Sequence, residues 1–309
     1  MSKIELPSRD QLAALADWNA LKSAYRDLRF DSEPAEDVEK YAVTNHKQLK
    51  RRLPNLETFW RFHIAPATNR TADTHLRDNI RPVVSRMAER SYEIFCNVSD
   101  ALDELAIVQG GLSPPRYRPC LNVLRFTGDA LMLFESLIDI IGRKDRNRTI
   151  NLGSVEQEIG EHLVLFEDWH YGDNDWSKRR ELAVTHRNML VHHGRPWLHF
   201  LDDDPKTPYI LRAEKCRTDA SRRDDEQKFV TWQRQISKFK AEKKRGEHSN
   251  FITLKGACET AVERTVDWLN DAYGRVVDRL DQVLSKDPAT FAKYRSLWGF
   301  PSSEKKKTG

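Results

Sequence analysis

Long hydrophobic runs are missing from this chain of 309 residues. No window approaches the ~18 consecutive apolar residues of a membrane span, and the opening residues show no basic start leading into an apolar stretch. The expectation is a cytoplasmic protein without a membrane partner. Cysteine is scarce as well. Cys96, Cys120, Cys216 and Cys258 lie far apart, with no CxxC pair and no zinc-like spacing, which excludes a local zinc module and leaves reduced, buried thiols as the plain reading. Net charge is small too. A formal +4 permits nucleic-acid binding without arguing for it, so the distribution of charge matters more than its sum.

What is present is a chain able to build a core. Apolar residues make up 39% and charged ones 32%, with Trp and Phe spread along the whole length, which sets it apart from disordered compositions. Leu12, Leu15, Trp18, Leu21, Tyr25 and Leu28 recur at spacings of three and four and predict one amphipathic helix over 8–29. A polar helix is expected over 33–49. Pro54 and Pro66 then punctuate a short aromatic segment with Phe59, Trp60 and Phe62. Residues 1–68 thus read as a helical N-terminal extension that packs on something else.

From Thr74 to Val108, Ile80, Val84, Met87, Ile94, Val98, Leu102 and Leu105 keep helical spacing until Gly110, Gly111, Pro114 and Pro115. A second strong helix is predicted from Cys120 to Ile141, on Leu124, Leu131, Phe134, Leu137, Ile138 and Ile141. Shorter helices are expected over 154–169 and 176–193, and a last long one over 251–284 on Leu254, Cys258, Ala261, Trp268, Leu269, Val276, Leu280 and Val283. Long helices with short connections give an all-α fold, an antiparallel helical bundle over 69–290. An insertion over 195–250 interrupts it. There, Trp197–Leu201 and Tyr209–Leu211 flank Asp202, Asp203, Asp204 and Pro205 as a small β-hairpin, and 215–247 hold eleven Lys or Arg against six Asp or Glu. A basic C-terminal tail takes up 291–309.

The segment with most chemistry is Arg187-Asn188-Met189-Leu190-Val191-His192-His193-Gly194. Arginine offers a planar fork of donors matched to phosphate oxygens, and histidine titrates nearest neutrality. Arg-x4-His spacing alone is weak, because Arg70 with His75 matches it as well, and Arg179 or Arg180 with His186 fall in the same range. Arg187 differs in its following Asn188, its apolar spacer and the helix stop at Gly194 and Pro196. On an ideal helix Arg187 falls within the apolar arc, while Asn188 and His192 lie together on the other side. Arg187 and His192 then point roughly 140° apart, so one rigid helix cannot aim both at a single phosphate.

This segment resembles the HEPN superfamily, helical bundles that include many ribonucleases and carry Arg, four to six residues, then His. The resemblance covers the helices of 74–286. It implies a metal-independent endoribonuclease with no cofactor, acting as a homodimer whose paired motifs face each other across a two-fold axis, with RNA as partner and a toxin or antiviral defence role. In that scheme the RNA 2′-hydroxyl attacks the adjacent phosphate, His192 serves as general acid or base with His193 as its understudy, Arg187 stabilises the phosphorane charge, and Asn188 orients the imidazole. RNA would be held by Arg116, Arg118 and Arg125, or by the insertion's Lys238, Lys240, Lys243, Lys244 and Arg245, with Trp232 and Phe239 stacking on bases. An inhibitory or regulatory protein partner is a further expectation, since an unrestrained ribonuclease harms its own cell.

Other readings stand beside this one. Arg187 could pair internally with Glu135 or Asp139, with His192 favoured at a helix C-terminus by the dipole. His186, His192, His193 and His199 could bind a metal, though no carboxylate or cysteine joins them at ligand spacing. A catalytically silent RNA- or nucleotide-binding module and a dimeric helical scaffold complete the alternatives.

Overall fold

The computed structural model describes residues 9–26, 52–68, 82–110, 117–141, 199–201, 204–211 and 251–295. These residues are mostly helical, with one small antiparallel sheet, as an all-α class requires. No helix among them is long and apolar enough to cross a membrane. The helices expected over 33–49, 154–169 and 176–193 lie outside the described residues.

The single helix expected over 8–29 is two, α1 (Arg9–Ala14) and α2 (Trp18–Tyr25). Asp17 causes the break. Its backbone is extended and its carboxylate accepts from the Ala20 amide at 2.9 Å, so it caps a new helix where the apolar periodicity runs on undisturbed. The end of α1 is closed from afar: Nη1 of Arg295 donates to the carbonyls of Leu12 and Leu15 at 3.4 and 2.7 Å, supplying donors that the last turn of a helix lacks.

The aromatic segment is also helical. Pro54 occupies the first turn of α3 (Pro54–Phe59), where its missing N–H costs nothing. A π-helical turn (Trp60–Ile64) follows, and then α4 (Ala65–Thr68). The Ala65 amide reaches back to the Trp60 carbonyl, and the wide turn lies directly ahead of Pro66, which has no N–H to give to a regular ladder.

Three long helices match their apolar periodicity: α5 (Pro82–Gln109), α6 (Tyr117–Ile141) and α7 (Leu254–Leu284). Val84, Met87, Ile94, Val98 and Leu105 are buried on α5, and Leu124, Leu131, Phe134 and Leu137 on α6. The hairpin is present as β1 (His199–Leu201) and β2 (Asp204–Leu211). Its register slips between His199↔Tyr209 and Leu201↔Asp204, over the stretch of β2 that contains Pro205 and Pro208, neither of which can donate to the ladder. A third strand, β3 (Phe251–Thr253), pairs with Tyr209, Ile210 and Leu211. The last helix therefore begins at Leu254 rather than at Phe251. Thr253 caps it, its hydroxyl accepting from the Gly256 amide at 3.1 Å. A short helix, α8 (Pro288–Arg295), crosses the boundary drawn at 290 and buries Phe291 and Tyr294.

The chain divides into two compact units. One comprises Met1–Glu93, Leu133–His170 and Leu269–Gly309, the other Ile94–Met132 and Tyr171–Trp268. In the first, the N-terminal helices pack on the chain's own C-terminal ones. Trp18 Nε1 donates to Asp281 at 2.7 Å, Asn55 donates two hydrogen bonds to Asn270, and His63 meets Tyr294. In the second, the interior is aliphatic with small polar inclusions: Val98, Val123, Leu124, Ile210, Val262, Thr127, Thr265, Cys120 and Cys258.

Candidate functional site

Of the residues expected to carry the chemistry, Arg187, Asn188, His192 and His193 lie outside the described residues, as do Arg116, Lys238 and Lys243. Arg118 is described and exposed in the first turn of α6. One face of that helix continues through Asn122 and Arg125, and the largely exposed Arg125 guanidinium pairs with Asp129 at 3.5 Å. Asn122 donates to Glu104 of α5 at 2.6 Å, tying the end of one helix to the start of the next. Glu135 and Asp139 belong to α6, with side chains outside the described set. His199 is a β1 residue registered against Tyr209.

Two constellations that sequence spacing does not reveal emerge instead, one in each unit. In the first unit, His63 is fully buried on the π-helical turn. Its ring stacks on Trp18 with centroids 5.1 Å apart, and it packs against Phe59 at 5.2 Å. Nδ1 lies 2.9 Å from the Tyr294 hydroxyl, while Nε2 has no partner among the described residues. Burial lowers its pKa to about 3, against the weaker opposing pull of Asp281. The imidazole is therefore neutral near pH 7 and ill suited to proton transfer there. Burial also works to raise the Asp281 carboxyl, but hydrogen bonds from Lys22 and Trp18 outweigh it and hold the group below the usual carboxylate range. This cluster is an aromatic clasp with a polar pin.

In the second unit, α6 and α7 bring Cys120 and Cys258 together across 138 residues of sequence, with Sγ of Cys258 3.4 Å from the Cys120 carbonyl oxygen. Both thiols are free and buried. The influence of each thiol on the other holds the Cys120 thiol below its ordinary value and pushes the Cys258 thiol up, with burial adding to the rise at Cys258. Acids line the surface of the same unit. Burial, and then the charge of Glu104, raise the Asp100 carboxyl, and Asp103 is raised by burial, Asp100 and Glu104. The sequence hid both constellations for one reason: His63 lies between Phe62 and Ile64, and the two cysteines occupy apolar positions of their helices, so each reads as core until the partner helix is in place.

Comparison with known proteins gives no assignment: no protein-family model, no curated protein and no solved structure matches this chain.

Proposed function

We propose that the chain is a metal-independent, HEPN-type endoribonuclease that acts as a homodimer. The observation that carries this reading is the segment Arg187-Asn188-Met189-Leu190-Val191-His192-His193-Gly194, which combines a phosphate-binding fork, an amide and an imidazole ahead of a helix stop. The mostly helical fold of the described residues is compatible with it. The RNA 2′-hydroxyl would attack the neighbouring phosphorus as an imidazole accepts its proton, and the 5′-oxygen would leave with a proton, giving a 2′,3′-cyclic phosphate and a 5′-hydroxyl. Arg187 would neutralise the charge gained at phosphorus. The angle of roughly 140° between Arg187 and His192 on one helix favours a site completed by a second copy. Arg118, exposed at the start of α6, would meet phosphates from solvent.

The test is cleavage of RNA by the purified full chain in excess EDTA. Cutting is expected to continue, to leave cyclic phosphate ends, to spare DNA of the same sequence, and to fall at least about a hundredfold in Arg187→Ala and His192→Ala. Cutting that stops on chelation, or that survives Arg187→Ala, overturns the assignment. RNA that is shifted in a salt-sensitive gel assay but left intact identifies a silent binding module, and neither cutting nor binding identifies a helical scaffold.

A further inference from the structure

We infer that Cys120 and Cys258 are a built-in dithiol that closes to an intramolecular disulfide, a reversible covalent link between α6 and α7. Three observations on the geometry carry this. The thiols come from different helices and meet only in the folded chain, Cys258 Sγ lying 3.4 Å from the Cys120 carbonyl oxygen. Both are free cysteines. They are unequal in exposure: Cys258 is fully enclosed, while Cys120 retains 8% of its surface in the first turns of α6. A disulfide requires the two sulfurs to close to about 2.05 Å, and the Cys258 sulfur already lies against the residue that carries the other one.

The asymmetry assigns the roles. Cys120, the less enclosed of the two, is the thiol that a small oxidant reaches first, and its thiolate is the nucleophile. With a low-molecular-weight disulfide as oxidant, the Cys120 thiolate attacks one sulfur and expels the other as a thiolate, leaving a mixed disulfide. Cys258 then gives up its proton and attacks the Cys120 sulfur, which releases the second small thiol. Two protein thiols are oxidised, one small disulfide is reduced to two thiols, and the protons pass to the released thiolates. The resulting link encloses residues 121–257, a loop long enough for the link to stabilise the fold through the unfolded state.

The inference is independent of the ribonuclease reading, because it is read by mass and by melting. The full chain is incubated with oxidised glutathione, its remaining thiols are alkylated, and it is digested and analysed by mass spectrometry, in parallel with a melting curve. The expected result is a Cys120–Cys258 peptide pair lighter by two hydrogens, a melting temperature about 5 °C or more above that of the reduced chain, and loss of both effects with dithiothreitol. The pair should persist in a Cys96→Ser/Cys216→Ser variant and vanish in both Cys258→Ser and Cys120→Ser, two substitutions that guard against the misfolding of either one. Oxidation that links Cys96 or Cys216 while Cys120 and Cys258 are recovered alkylated overturns it. So does a linked pair that leaves the melting temperature unchanged.

Discussion

In the unit formed by Met1–Glu93, Leu133–His170 and Leu269–Gly309, the interior is built from rings: Trp18, Tyr25, Phe59, His63, Phe134, Tyr273, Phe291 and Tyr294 are all buried. Its hydrogen bonds span more than 200 residues of sequence, from Trp18, Lys22, Asn55 and His63 to Asp281, Asn270 and Tyr294. Among its described residues, the unit formed by Ile94–Met132 and Tyr171–Trp268 buries mainly Val, Leu, Ile and Ala with two Thr and two Cys, and its large buried rings are Phe95 and Trp268. Among the same described residues, polar links run from Asn122 to Glu104 and from Gln109 to Glu259. Rings bury more area per residue and prefer defined mutual angles, so the first unit fixes chain ends that are far apart in sequence. An aliphatic interior tolerates small groups, and there a pair of thiols occupies core positions at little structural cost.

Removing a ring should separate the two units most sharply. Phe134 meets Tyr273 edge-on at 5.0 Å, and Phe134→Ala is expected to cost about 3–5 kcal/mol, whereas Cys258→Ala, which removes one sulfur from the other interior, should cost about 1 kcal/mol. Chemical denaturation of both variants checks this, and equal losses would erase the contrast.

The next effect is pH. Above pH 6.5 His63 is neutral in folded and unfolded chains alike, and its contribution is complete. As pH falls from 6.5 toward the folded value of about 3, the unfolded chain takes up the proton and the buried ring does not, so stability drops by up to about 1.4 kcal/mol per pH unit. His63→Phe should flatten the acid limb of a stability–pH curve by about that slope. An unchanged limb would mean that the aromatic clasp admits water.

The smallest effect concerns close packing. A Cβ at Gly274 would lie 2.7 Å from Nδ2 of Asn55, an amide already bound to the Asn270 carbonyl at 2.9 Å. Gly274→Ala should therefore destabilise by about 1 kcal/mol despite alanine's better helix propensity, and in an Asn55→Ala background the same change should become neutral or stabilising. Thermal melts of the double-mutant cycle report the sign.

Much of the helical framework was legible because helical periodicity is local. The buried faces of α5, α6 and α7 match the residues picked out by spacing wherever burial is described, with Leu102 and Val283 only half-buried, while Ile80 and the side chains of Ile138 and Ile141 lie outside the described set. Punctuation was harder. Asp17 breaks a helix whose apolar rhythm continues through it, and Phe251–Thr253 look like helix until Tyr209–Leu211 supply a strand to pair with. The candidate site was legible as the spacing of Arg187 and His192, which lie outside the described residues. Cys120 and Cys258 show the converse, since nothing in a spacing of 138 residues distinguishes two core thiols from a pair.

By itself, the sequence determined the helical character of the described residues, the faces their long helices bury, and where an arginine, an amide and two imidazoles stand together ahead of a helix stop signal, because charge, turn chemistry and a period of about 3.6 residues act over a few neighbours. Only the tertiary structure decided that Arg295 closes the first helix, that His63 is neutral at pH 7, and that two thiols meet. Each of these depends on burial and on partners brought in from distant parts of the chain, and the sequence order of neighbouring residues does not encode which distant group will exclude the water.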